Sequence, residues 1–161
     1  MDHPEQTDVV VIGLGPGGEY AAGTLAEAGL HVTGVESRLV GGECPYFGCV
    51  PSKMMIRAAN LIAETRRVPG MAGASTITPD WSPVAQRIRE EATDYWNDKV
   101  AADRFTGKGG HLVRGHGKIT GPGEVTVRGA HPAGGRVWPV PFRRGRPRRR
   151  RARPGPPGVR C

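Results

Sequence analysis

The chain has 161 residues, enough for one domain with its own core and too few for two large ones. A formal charge of +8 would suggest a nucleic-acid binder, but ten arginines and no acid lie from His131 onward, which leaves residues 1–130 with 13 basic and 15 acidic side chains and a net of −2. The body of the protein is mildly acidic, so a nucleic-acid reading cannot rest on the overall charge.

No apolar run approaches the ~20 residues that cross a bilayer, and Met1-Asp2-His3-Pro4-Glu5 is unlike a secretory signal. A cytoplasmic location without membrane association is therefore expected. Residues 8–12 (Asp-Val-Val-Val-Ile) form a short β-branched run ending in glycine, which predicts a strand of a parallel sheet buried on both faces. Small, helix-compatible residues follow over 16–28, with Gly29 placed to close the helix. A second strand is predicted over 31–36, completing a βαβ unit.

Between that first strand and helix lies Gly13-Leu14-Gly15-Pro16-Gly17-Gly18, a G-x-G-x-x-G pattern. Gly13 permits the tight turn, Gly15 lets a pyrophosphate approach the backbone, and Gly18 lets helix and strand pack closely. The helix N-terminus adds unpaired N–H groups and partial positive charge. Glu36 closes the second strand, where an acid accepts hydrogen bonds from ribose hydroxyls. The alternative is a plain turn with a surface Glu36, but strand, helix, strand and acid in this order favour dinucleotide binding.

After Gly41-Gly42, residues 44–67 are predicted to be a helix whose nearly continuous apolar residues, from Met54 to Ile62, imply deep burial. A Gly-, Pro-, Ser- and Thr-rich loop is expected over 68–80 and a second helix over 81–105. Strands are predicted over 111–114, 117–120 and 124–127, with Gly121-Pro122-Gly123 as a hairpin turn. Residues 131–161 hold ten Arg, seven Pro and five Gly, a composition expected to be disordered.

The segment from Gly41 to Lys53 contains two cysteines, Cys44 and Cys49, at the start of a predicted helix. In an ideal helix they would lie about 7.5 Å apart along the axis, too far for a bridge. A disulfide therefore needs a distorted first turn, for which Gly48 and Pro51 supply the means. A helix N-terminus also favours the thiolate. A metal site would want a second Cys/His pair, which is missing from the sequence, and a plain buried thiol pair would not need the flanking glycines and proline. Redox chemistry is the favoured reading.

The same segment resembles the signature G-G-T-C-x-N-x-G-C-x-P-S-K of the class I pyridine nucleotide-disulfide oxidoreductases, a family that includes dihydrolipoamide dehydrogenases, mycothione reductases and mercuric reductases. The glycine fingerprint, Glu36 and the block Gly115-His116-Gly117-Lys118-Ile119-Thr120-Gly121 are similar to that family too, nearest to its dihydrolipoamide dehydrogenases. The resemblance implies an α/β, Rossmann-like, doubly wound FAD-binding domain with a helical insertion and a β hairpin. It implies that Gly13, Gly15 and Gly18 line the FAD pyrophosphate and that Glu36 holds the ribose. Gly42 and Cys44 would border the flavin-side cradle, Lys53 would lie near flavin N5, and Gly117 would present backbone groups to adenine. Cys49 would be the flavin-proximal thiol and Cys44 the thiol that meets substrate; the side chain of His116 is expected to be incidental. Glu43 and Tyr46 depart from the usual Thr and Asn.

The activity implied is electron transfer between NAD(P)H, FAD, a disulfide of Cys44 with Cys49, and a small disulfide, dithiol or metal-ion substrate, in a homodimer. The nicotinamide domain and the acid–base pair of the family's C-terminal domain have no counterpart in the sequence. The chain is therefore expected to be an incomplete and inactive FAD domain over 1–130, followed by a frameshifted tail over 131–161. An FAD-binding module without catalysis, and a basic arm for nucleic acid, are the alternatives.

Overall fold

The computed structural model describes residues 7–129, together with the backbone of Val137–Pro141. The chain opens with β1 (Val9–Ile12), α1 (Pro16–Glu27) and β2 (Val32–Glu36). Next come two short-range neighbours, α2 (Glu43–Tyr46) and α3 (Cys49–Thr65). Then follow α4 (Ser82–Arg87), a π-helical turn at Ile88–Ala92 and α5 (Lys99–Gly107). The strands β3 (His111–Arg114), β4 (His116–Gly121), β5 (Glu124–Arg128) and β6 (Val137–Pro141) complete the order.

Two sheets result. In the first, β1, β2 and β3 lie side by side and run parallel, with Val9 opposite Val32 and Glu36 opposite Arg114. In the second, β4, β5 and β6 form an antiparallel meander with an irregularity between Ile119 and Gly121. Alternation along the parallel strands sends side chains to opposite faces. Val9, Val11, Val32 and Leu112 pack with Ala22 and Ala26 of α1 and with Ala101 and Phe105 of α5. Val10, Val35 and Val113 face the other way, onto Val125 and Val127 of β5. Phe105 is fully buried, which alone contributes roughly 2–3 kcal/mol of apolar burial. The fold is thus α/β and Rossmann-like, with helices on one face of the parallel sheet and an antiparallel sheet on the other.

Four expectations change. The first strand, expected to be buried on both faces, is only half-buried and Ile12 is exposed, because β1 stands at the edge of the described parallel sheet. The helix expected over 44–67 is two helices, because the chain breaks at Phe47 and Gly48 between α2 and α3. The deep burial expected for α3 is not found: Met55, Ile56 and Leu61 are exposed. The physical reason is that both faces of the parallel sheet are already covered, so α3 packs mainly on α2, α4 and the π-helical turn. The helix expected over 81–105 is interrupted by three consecutive left-handed residues, Asp94, Tyr95 and Trp96, before α5 restarts it. Inside the segment expected to be disordered, the backbone at Val137–Pro141 pairs with β5; the rest of that expectation lies outside the described residues.

Candidate dinucleotide and dithiol site

The turn from β1 into α1 has the geometry its glycines require. Gly13 leaves the strand at φ +89° and donates its N–H to Val35 O at 2.8 Å. Gly18 sits in the first turn of α1, where an added Cβ would meet the carbonyl of Gly13, 3.1 Å from its carbon and closer still to its oxygen. No side chain fits there, so the helix can rest on the strand. Gly15 is the N-cap of α1 and Pro16 its first helical residue, the position where a missing N–H costs nothing.

Glu36 ends β2 and is buried. One carboxylate oxygen accepts the Leu14 N–H at 2.7 Å and the other accepts the Arg38 N–H at 2.8 Å. The acid expected only to hold a ribose therefore also ties the glycine turn to the end of β2. A carboxylate has about four lone-pair sites, so it retains acceptor capacity beyond these two bonds.

Four polar groups of the backbone between Arg38 and Gly41 are held by partners outside the loop. Arg38 O accepts from the Arg114 guanidinium at 3.0 Å, and Val40 N–H donates to Asp98 Oδ2 at 2.7 Å. Val40 O accepts from the Tyr46 hydroxyl at 3.1 Å, and Gly41 N–H donates to Leu14 O at 2.7 Å. Arg114 and Asp98 join each other by two parallel bonds, at 2.6 and 3.0 Å. Burial would raise the Asp98 pKa, but the Arg114 hydrogen bonds and the Val40 amide outweigh it and hold the carboxyl below its ordinary value. Asp98 and Arg114 were not legible as site residues, and Tyr46 was marked only as a departure from the signature. For Asp98 the sequence offers Asn97-Asp98 before α5, an N-cap pattern.

Tyr46 settles where one departure from the family signature points. Its ring is buried, 7 % exposed, and lies over Gly41. Burial, with the charges of Asp98 and Glu19, pushes its phenol pKa up. It therefore faces the loop rather than the open side of the site. We expect Tyr46→Phe to lose about 1 kcal/mol of stability through the hydrogen bond to Val40 O, read as a lowered urea midpoint at unchanged slope; an unchanged midpoint would contradict the assignment.

The clamped loop delivers Gly42 at φ +68° against Gly15: an added Cβ on Gly42 would lie 2.7 Å from the Gly15 Cα. This close approach starts α2 and hence positions Cys44. Cys49 is the first residue of α3, after the break at Gly48. Cys44 is half-buried and Cys49 exposed, and neither is in a disulfide. Both nevertheless line one cleft and influence each other electrostatically. The hydrogen bond with Cys49 pushes the Cys44 thiol pKa up, and burial and the Cys49 charge add to it, whereas the Cys49 amide and the Lys53 ammonium pull it down. Helix termini were expected to favour the thiolate; for Cys44 the neighbouring sulfur wins. Removal of two electrons and both protons would join the two sulfurs in a disulfide.

One cleft of about 530 Å³ gathers the predicted residues Gly15, Glu36, Gly42, Cys44 and Cys49, lined also by Pro16, Arg38, Leu39, Glu43, Phe47 and Gly48. That volume lies within the range of small-molecule sites. Gly13 and Gly18 stand behind its wall, supporting the turn. Lys53 is exposed on α3 and does not line the cleft, though its charge reaches Cys44. Gly117 is on β4, packed against Ile12 and Val35, and does not line the cleft either. Among the described residues no group of three metal-ligating side chains converges, and no helix is long and apolar enough to cross a membrane.

Residues 7–129 match the family model described as pyridine nucleotide-disulphide oxidoreductase. The dihydrolipoyl dehydrogenase of Chlamydia muridarum is 32% identical over 133 residues, covering 80% of this chain and 28% of that protein. The dihydrolipoyl dehydrogenase of Bacillus subtilis is 34% identical over 116 residues, covering 71% and 23%. The leghemoglobin reductase of Glycine max is 30% identical over 125 residues, covering 76% and 24%. The chain thus spans about a quarter of the length of these curated relatives. A Cu(II) complex of a mutant of the HOCl-induced flavoprotein disulfide reductase RclA from Escherichia coli has a similar fold, with a TM-score of 0.65 at 20% identity over 86% of this chain and 27% of that one.

Proposed function

Because the chain belongs to the pyridine nucleotide-disulphide oxidoreductase family, we propose that it holds FAD in the cleft and sets a redox-active dithiol, Cys44 with Cys49, against the flavin. The observation that carries this reading is that Gly15, Gly42, the buried acid and both cysteines line the same cavity. The residues fit the group: Gly15 and Gly42 leave backbone unshielded by any Cβ, and Glu36 keeps acceptor capacity for ribose hydroxyls. Bound FAD supplies two-electron transfer. This chain's part is to bind it, to hold Cys49 facing the ring, and to place Cys44 for exchange with substrate.

Residues 1–130 would be the FAD-binding domain. In the whole protein, the proposed activity is passage of electrons between NAD(P)H and a disulfide, dithiol or metal-ion substrate, in a homodimer. Lys53, whose charge stabilises the Cys44 thiolate, would also stand near flavin N5, and Gly13, Gly18 and Gly117 would support the pyrophosphate and adenine ends.

The test is reconstitution with FAD followed by dithionite titration under anaerobic conditions. A long-wavelength absorbance band from a thiolate beside the ring is expected. It should disappear in Cys49→Ser and persist in Cys44→Ser. A flavin-loaded protein without the band would instead be a binding module without dithiol chemistry.

A further inference from the structure

The charged side chains that line the cleft, among the described residues, are Glu36, Arg38 and Glu43. Glu36 is engaged by two backbone amides. Glu43 follows Gly42 directly, next to the backbone that meets Gly15, which is where an anionic diphosphate would lie. A second carboxylate at that place repels such a ligand. The family signature has a neutral Thr here, so this chain has added a negative charge at its own cofactor site.

Arg38 answers it. Its guanidinium bonds Glu43 Oε1 at 2.5 Å and stacks over the Phe47 ring, 4.8 Å from the centroid. It is the one cation among the described lining residues. Its backbone N–H is fixed on Glu36 and its carbonyl on Arg114, so the side chain swings from an anchored root. The face of the Phe47 ring adds a cation–π attraction that holds the guanidinium at the cleft.

We infer that Arg38 and Glu43 are a coupled pair in which Arg38 neutralises Glu43 and lends its remaining donors to the diphosphate of the bound dinucleotide. This rests on the FAD reading above and deepens it: affinity for the phosphate portion is set by the pair rather than by Glu43 alone. The guanidinium has five donors, more than one carboxylate oxygen consumes.

A double-mutant cycle tests it. The 161-residue chain and its Arg38→Gln, Glu43→Gln and doubly substituted forms are titrated with FAD and with riboflavin, by quenching of flavin fluorescence at low salt, after circular dichroism has matched their folds. Arg38→Gln should weaken FAD binding about three- to tenfold, the Coulomb effect of one unscreened carboxylate near a diphosphate at a partly exposed site. Glu43→Gln should bind FAD at least as tightly as the parent. The double substitution should recover the part of the loss that comes from the unmasked Glu43 carboxylate and retain the part that comes from the missing guanidinium donors, and riboflavin, which carries no phosphate, should be unaffected throughout. Equal FAD affinity in Arg38→Gln, no recovery in the double form, or a parallel loss for riboflavin would each overturn the pairing while leaving FAD binding intact. A parent chain that takes up no FAD would overturn both.

Discussion

Alanine at position 18 is expected to destabilise the protein by about 3 kcal/mol and to prevent FAD uptake, while alanine at position 17 should do neither. The two glycines are neighbours in the same helical turn, and the difference is what their Cβ would touch. At Gly17 nothing lies within 4 Å. At Gly18 the atom would overlap the Gly13 carbonyl, which is backbone and cannot rotate away. Relief requires α1 to lift from β1, which opens the packing of Ala22 and Ala26 against the sheet and spoils the turn that faces the cofactor. Overpacking of this kind costs 1–3 kcal/mol or more. Urea unfolding of both variants, with flavin titration, measures the contrast; a wild-type midpoint for Gly18→Ala would show that the contact is not rigid.

The second large effect is expected at Asp98. Asp98→Ala removes the acceptor of the buried Val40 amide and both bonds to Arg114. An orphaned amide beside the fully buried Val40, with the loss of a charge-assisted pair, amounts to about 2–4 kcal/mol. Asp98→Asn, which keeps an acceptor for Val40, should lose less. The charge itself has a pH signature. The folded-state pKa of Asp98 is depressed, so its contribution is fully present above the unfolded value of about 4 and is lost as pH falls through the lower folded value. The wild-type stability should therefore decline below about pH 4, and Asp98→Asn should show a shallower acid limb. Parallel acid limbs for the two proteins would remove Asp98 from the account. The same variant should weaken FAD uptake, since the amide it holds belongs to the loop that carries Gly42.

The sequence was legible where local chemistry and tertiary structure agree. The run of valines into glycines predicted β1, and Pro16 and the alanines predicted α1, because both elements are specified by residues within themselves. Glu36 and the two cysteines were legible because spacing relative to a strand end or helix start is a local property. What could not be read depends on partners far along the chain. Tyr46 was seen only as a departure from a signature; its burial depends on Val40 and Gly41. The break before α5 uses no Gly or Pro, but places Asp94, Tyr95 and Trp96 in the left-handed region, with Tyr95 N–H donating to Arg89 O. Propensity alone gives no warning of that, although Asn97 and Asp98 before Lys99 mark the restart. The apolar run of α3 misled for the opposite reason: continuity of hydrophobic residues signals that cover is wanted, not that the nearby sheet has a free face to provide it.

The parallel pairing of β2 with β3 makes everything from α2 to α5 a single excursion between neighbouring strands, closed where Arg114 reaches Arg38, 76 positions earlier. Bringing such distant points together costs about 4 kcal/mol of chain entropy, whereas β1, α1 and β2 assemble from near neighbours. The thiol-bearing segment should consequently acquire its shape late, when the third strand docks, an order that pulsed amide exchange during refolding would read as earlier protection of β1, α1 and β2.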